Sequence, residues 1–270
     1  MKKIIILLFP IMISCSGNIL HDVASKSNDD DLLYQAQQLL NEQLFDQAVT
    51  LITTKMSTSA QATVPAREAL ASAYGGKCGL IFLDYAEALS AATTGSAMTI
   101  LKAPFIGSTA DPTSCRTALT TMDLIGSFST RSLNQNFFTA ILGMVLMGTA
   151  ARSHIDTTPT GGDGTNDVNI CTTVTDAQID DLIIGFGYMN QNISAVSAQA
   201  IGSGSLGTLT GVTATCQSVG AGSCIITDPA QITPAMRCFF RKLTNTLQYG
   251  VGTFDTTGND ALILTACPCT

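Results

Sequence analysis

The sequence predicts an all-α fold, helical hairpins joined by long, disulfide-stapled loops. Three observations carry that expectation. Apolar residues recur at three- and four-residue steps between residues 32 and 92 and again beyond residue 116, which is the period of one helical face. Capping residues and prolines stand where helices would begin, at Pro65, Thr175 and Thr233-Pro234. The stretches between are rich in Ser, Thr and Gly and carry cysteines able to tie them down. Only residues 206–213 hint at a strand.

The first element is a leader. Met1-Lys2-Lys3 is a short cationic start, followed by an apolar run over residues 4–13 broken by Pro10. A charged start, an apolar run of roughly 7–15 residues and a small-residue cleavage site form a secretory signal. The run is shorter than the roughly 20 residues that cross a bilayer. Met12-Ile13-Ser14-Cys15 then puts a small residue directly before a cysteine. The segment resembles a bacterial lipoprotein signal with its lipobox. That resemblance implies cleavage before Cys15, diacylation of its thiol and a mature chain anchored to a membrane by lipid. An ordinary signal peptide cut elsewhere is the alternative. Ser16 stands where an Asp would retain such a protein at the inner membrane in the best-known sorting system. The resemblance therefore favours the outer membrane, facing the periplasm or the surface.

Residues 15–31 are polar, end in Asp29-Asp30-Asp31 and show no apolar period, so they read as a flexible tether. Residues 32–270 then form one helical domain. Without the leader, with its Lys2 and Lys3, the chain carries a net charge of about −9. That sign excludes nucleic acid, whose binding rests on Lys and Arg neutralising phosphates. It also leaves membrane contact to the covalent lipid on Cys15 rather than to a basic patch. Charged residues make up 12% and Trp is absent, so the surface must be largely uncharged and polar.

Within the domain, Leu33, Ala36, Leu40, Leu44, Ala48, Leu51 and Ile52 share a face, and so do Ala66, Ala69, Leu70, Ala73 and Tyr74 after Pro65. Gly75-Gly76 is expected to break the second segment, and residues 79–92 to form a third helix. Leu44-Phe45-Asp46-Gln47-Ala48 resembles the opening of a second helix in a tetratricopeptide (TPR) repeat, and Ala71 and Tyr74 follow at close to the spacing of the next repeat. Small alanines let paired helices approach while aromatics fill the holes between pairs. The resemblance covers residues 32–92 and implies a TPR-like stack. Unrelated helical hairpins are the alternative, and residues 93–270 form a divergent helical part.

Residues 93–115 read as a loop, and residues 116–129 and 133–152 as helices. The second of these holds an apolar stretch of about 14 residues, too few to cross a membrane core and fitting a buried central helix. A helix over residues 175–201 opens with Thr175 and Gln178 in capping-box register. A Gly/Ser/Thr loop follows over residues 202–224, and a last helix runs from Pro234 to about residue 248.

With Cys15 set aside for lipid, Cys78, Cys115, Cys171, Cys216, Cys224, Cys238, Cys267 and Cys269 remain. An even number in an exported chain predicts disulfides. Their connectivity stays open. Zinc would want paired CxxC or Cys/His spacing, which this chain lacks. Asp156, Asp163, Asn166 and Asp167 gather among glycines in one loop. Calcium takes six to eight oxygens from such groups, so the loop is either a Ca2+ site or a solvated acidic turn; no other cofactor is expected. Asp180-Asp181 is expected on a solvent face near a helix start, where negative charge suits the dipole.

Catalytic patterns are missing. No GxSxG occurs. Gly202, Gly204 and Gly207 satisfy GxGxxG, but no strand precedes them and no helix follows, as a dinucleotide site needs. The two histidines, His21 and His154, lie in the tether and at a helix end. The function these readings favour is non-enzymatic: a lipid-anchored, exported helical scaffold binding a protein partner in the bacterial cell envelope. The alternative is a small-molecule-binding accessory lipoprotein, resembling the T component of TRAP transporters, with Met144, Met147, Phe186 and Met189 around an apolar pocket.

Overall fold

The computed structural model describes residues 29–91, 95–108, 110–157, 162–192, 225–246 and 250. Ten α-helices run through them: α1 Asp29–Asn41, α2 Phe45–Lys55, α3 Thr58–Gln61, α4 Val64–Cys78, α5 Phe82–Ala91, α6 Ala97–Lys102, α7 Pro112–Asp123, α8 Leu133–His154, α9 Asp176–Asn192 and α10 Pro234–Thr244. No strand occurs among the described residues, and the fold is all-α as the periodicity predicts. None of these helices is long and apolar enough to cross a membrane.

Two cores meet on α4. Leu32, Ala36, Ile52 and Met56 from α1, α2 and the end of α2 pack with Ala66 and Ala69 of α4. Ala71 and Cys78 of the same helix belong to the larger core, built on α7, α8 and α9. The alanine-rich sequence of α4 is what lets helices lie against two of its sides at once. α1 and α2 form a hairpin backed by α4. α5 does not continue that pattern. It leans on a short 3-10 turn, Ala103–Phe105, and α7 runs beside α4 instead.

α8 is the central strut, about 33 Å long at 1.5 Å per residue. Ser132 and Gln135 close a full capping box at its start, and nearly every side chain from Asn136 to Arg152 is buried. α8 and α9 touch backbone to backbone. A Cβ at Gly143 would lie 2.7 Å from the Gly185 carbonyl oxygen, and one at Gly185 equally close to that of Gly143. α9 opens with the capping box expected of Thr175 and Gln178. α10 is capped by the Thr233 hydroxyl, which accepts from the Met236 N–H. It is fastened to α9 by Arg237 on Asp180 at 2.7 Å, Arg241 on Asp176 at 2.7 Å, and Phe240 edge-on to Phe186.

Several boundaries differ from the sequence reading. Asp29, Asp30 and Asp31 are the acidic first turn of α1 rather than tether, where negative charge meets the positive end of the helix dipole. Gly75 and Gly76 do not break α4, which runs on to Cys78 and ends at left-handed Gly79, φ 107°. The loop expected over residues 93–115 contains α6 and the first turn of α7, whose N-cap is Asp111. α7 stops at Asp123, short of residue 129. The last helix ends at Thr244, capped at Asn245, short of residue 248; the strand hint, the 202–224 loop and the end of the helix expected to reach residue 201 lie outside the described residues.

Candidate interaction surface

At the α1–α2 corner the chain reverses over three residues. Gln43 takes a left-handed conformation, φ 60°, and the Leu44 N–H donates back to the Leu39 carbonyl at 2.8 Å. This turn presents Phe45 to the last turns of α4. Its ring lies where a Cβ on Gly76 would stand, so only glycine admits it there. Asp46 reaches across to Lys77 at 2.7 Å, and the Lys77 ammonium sits 5.9 Å from the centre of the Tyr74 ring. The hydrogen bond to Asp46 raises the Lys77 pKa above its ordinary value.

Gln43, Leu44, Phe45, Asp46, Gln47, Gly76 and Lys77 thus enclose an open cleft of about 430 Å³. Leu44, Phe45 and Gly76 share its lining with the amides of Gln43 and Gln47, and an ion pair crosses one side. Such a site can take one or two side chains of a peptide. Of the aromatics singled out in the sequence, Phe45 lies against Gly76 of α4 and Tyr74 lies on α4 beside Lys77; Gly76 was read only as a helix break, and Lys77 was not singled out.

The charged residues in the interior serve the fold. Lys102 and Asp156 form an ion pair at 3.1 Å, with side chains only 1% and 0% exposed. The ammonium also donates to the Gly164 carbonyl at 2.8 Å. The Asp156 carboxylate accepts from the Asp163 and Gly164 N–H groups, and Arg152 donates to the Asp156 carbonyl at 2.6 Å. The four residues grouped for Ca2+ are thereby spent separately. Asp156 faces the ammonium, and Asn166 Oδ1 lies 3.5 Å from the same nitrogen. Asp167 accepts from the Thr157 N–H, while Asp163 accepts from the Thr165 N–H, which holds its carboxylate below the usual range. An internal lysine occupies the place beside Asp156 that a cation would need. Among the described residues no three His, Cys, Asp or Glu side chains converge as a metal site.

Two further clusters follow the same rule. Arg131, on the α7–α8 loop, donates to Asn136, Asp123 and Asn192, and the Tyr188 hydroxyl donates to Asp123. Burial pushes the Tyr188 phenol well above its ordinary pKa, and the bond to Asp123 adds to the shift. Asp181 is not on a solvent face: it is buried and paired with Arg116 and, at 3.1 Å, with His154. The other ring nitrogen of His154 meets Gln178 at 3.2 Å. Sequence reasoning missed Lys102 and Arg131. The one available signal is that Lys102 ends the apolar turn of residues 98–101, which must be buried.

Cys78 and Cys115 form a disulfide with Cα atoms 5.1 Å apart, joining the end of α4 to the first turn of α7. Cys171 and Cys238 are disulfide-bonded as well. Cys15, Cys216, Cys224, Cys267 and Cys269 lie outside the described residues. Met144, Met147, Phe186 and Met189, the expected pocket lining, are fully buried core side chains at the α8–α9 contact. Comparisons with family models, curated proteins and solved structures find no match to this chain.

Proposed function

We propose that this chain is a lipid-anchored, exported helical scaffold of the bacterial cell envelope that binds a protein partner. One observation carries the reading: all four cysteines within the described residues are bridged. Disulfides persist in oxidising compartments and are rare in the cytosol, which agrees with a leader cleaved before Cys15. Ser16 makes the outer membrane the favoured site. The α1–α2 corner supplies the contact for the partner, because Leu44 and the Asp46–Lys77 ion pair are accessible while the interior ion pairs are already formed.

Labelling cells with a radioactive fatty acid tests the anchor. Label on the wild-type chain and none on Cys15→Ser is the expected result; label on neither removes the lipid. Mild crosslinking tests the scaffold. One dominant partner is expected, lost on Leu44→Arg or Lys77→Glu with the fold intact by circular dichroism. A partner indifferent to both substitutions rules out this cleft.

A further inference from the structure

The helix termini sort into two ends. Asp29, where α1 begins, bonds the Ser57 N–H and hydroxyl at 2.8 and 2.6 Å, which places it beside α3 and the start of α4. Arg67 in the first turns of α4 donates to the Leu124 carbonyl at the end of α7. Gln135 in the first turn of α8 donates to Glu68 at 2.7 Å, and Asn136 donates to the Phe128 carbonyl at 2.9 Å. The starts of α1, α4 and α8 and the end of α7 therefore share one end of the molecule. The α1–α2 cleft lies at the other, beyond the roughly 20 Å length of α1.

Four large apolar side chains are left in solvent at the first end. Leu124 is 61% exposed and Leu133 67%, with Val64 and Phe128 beside them on the same loops and first turns. Around them stand hydroxyls, Ser127, Ser129, Thr130 and Ser132, and charges of both signs: Asp29 and Glu68, Lys55 and Arg67, and Asp123 paired with Arg131. Inside this end Arg131 bonds Asn136 and Asn192, and the apolar groups outside take no part in that network. Grouped apolar side chains with a polar rim mark an interaction site.

The geometry points to a lipid bilayer as what covers them. The proposal rests on Cys15 as the point of attachment. From Cys15 to Asp29 there are 14 residues, spanning at most about 50 Å when fully extended. They join the domain at the apolar end and no other, so a membrane holding Cys15 meets that end at high effective concentration. Leu124, Phe128, Leu133 and Val64 enter the interface between headgroups and acyl chains, and the hydroxyls lie among the headgroups. The domain stands on the membrane with the α1–α2 cleft turned away from it, toward a partner.

The chain has no Trp, so one indole can report position. Leu133→Trp and, at the far end, Leu44→Trp are made in the mature chain, with a histidine tag in place of Cys15. The tag binds nickel-chelating lipid in phosphatidylcholine vesicles, so the test does not depend on acylation in the cell. With brominated acyl chains, emission from Leu133→Trp is expected to shift to the blue and be quenched, and that from Leu44→Trp to be unchanged. Equal quenching of both variants, or of neither, overturns the proposal. A blue shift of Leu133→Trp without lipid, together with a dimer in sedimentation, also overturns it and gives the face to a second copy. If fatty-acid labelling fails while the orientation holds, the anchor is lost and the lipid-facing end stands.

Discussion

At the scale of single residues, the buried charges show how little a local pattern says about its partner. The loop over residues 156–169 gathers Asp156, Asp163, Asn166 and Asp167, a set of oxygens that reads from sequence as either a calcium site or a solvated acidic turn. The charge that answers Asp156 comes instead from Lys102, on an earlier helix. The same holds for Asp181, whose partners Arg116 and His154 come from two other helices. Candidate sites were legible as residue types, and their pairing was not, because pairing is decided by which helices meet. Removing one member of a buried pair strands the other. Lys102→Met is expected to destabilise the protein by about 3–5 kcal/mol, measured by denaturant unfolding. Adding Asp156→Asn should cost less than the sum of the two single changes, since the stranded charge is then gone. Additive losses would show that the two groups do not interact.

At the scale of elements, what was legible was whatever a helix writes into its own sequence. The box at Thr175 and Gln178 and the cap at Thr233 stand where their residue types put them, and Ser132 with Gln135 makes a box of the same kind. The misread boundaries have a physical reason. Asp29-Asp30-Asp31 has the composition of a tether, yet its charge suits a helix start. Gly75-Gly76 has the composition of a break, yet Phe45 and Leu142 pack against the space those side chains leave. Neither partner is visible from within the segment. The start of α1 also carries a pH dependence. Two hydrogen bonds from Ser57 hold the Asp29 carboxylate below its ordinary pKa of 3.8. A carboxylate lowered by folding contributes above its unfolded pKa, and the contribution is lost as pH falls through the folded value. Amide exchange in the first turn of α1 is therefore expected to quicken between about pH 5 and pH 3, relative to α8, and Asp29→Asn to remove that difference. No change in the relative exchange would mean that the cap does not hold the helix.

At the scale of the whole molecule, the fold class was legible and the order of packing was not. The 3.6-residue period identifies helices one by one, and the ten helices among the described residues make the fold all-α. It does not say that α4 must serve two cores or that α7 rather than α5 lies beside it. Those choices depend on the glycine contacts of α8 with α9 and on the bridge between Cys78 and Cys115. That bridge joins residues 37 apart in sequence and, by loop-closure entropy, is worth about 4 kcal/mol against the unfolded chain. It also has an outcome for a chain exposed to proteases. α5 and α6 fall inside the bridged span, and α5 holds Leu83 out in solvent. A protease that nicks the chain there leaves two pieces still joined by sulfur. Limited digestion should give a single full-length band on a gel run without reductant and two fragments once thiol is added; separation before reduction would mean that the two cysteines are not bonded to each other.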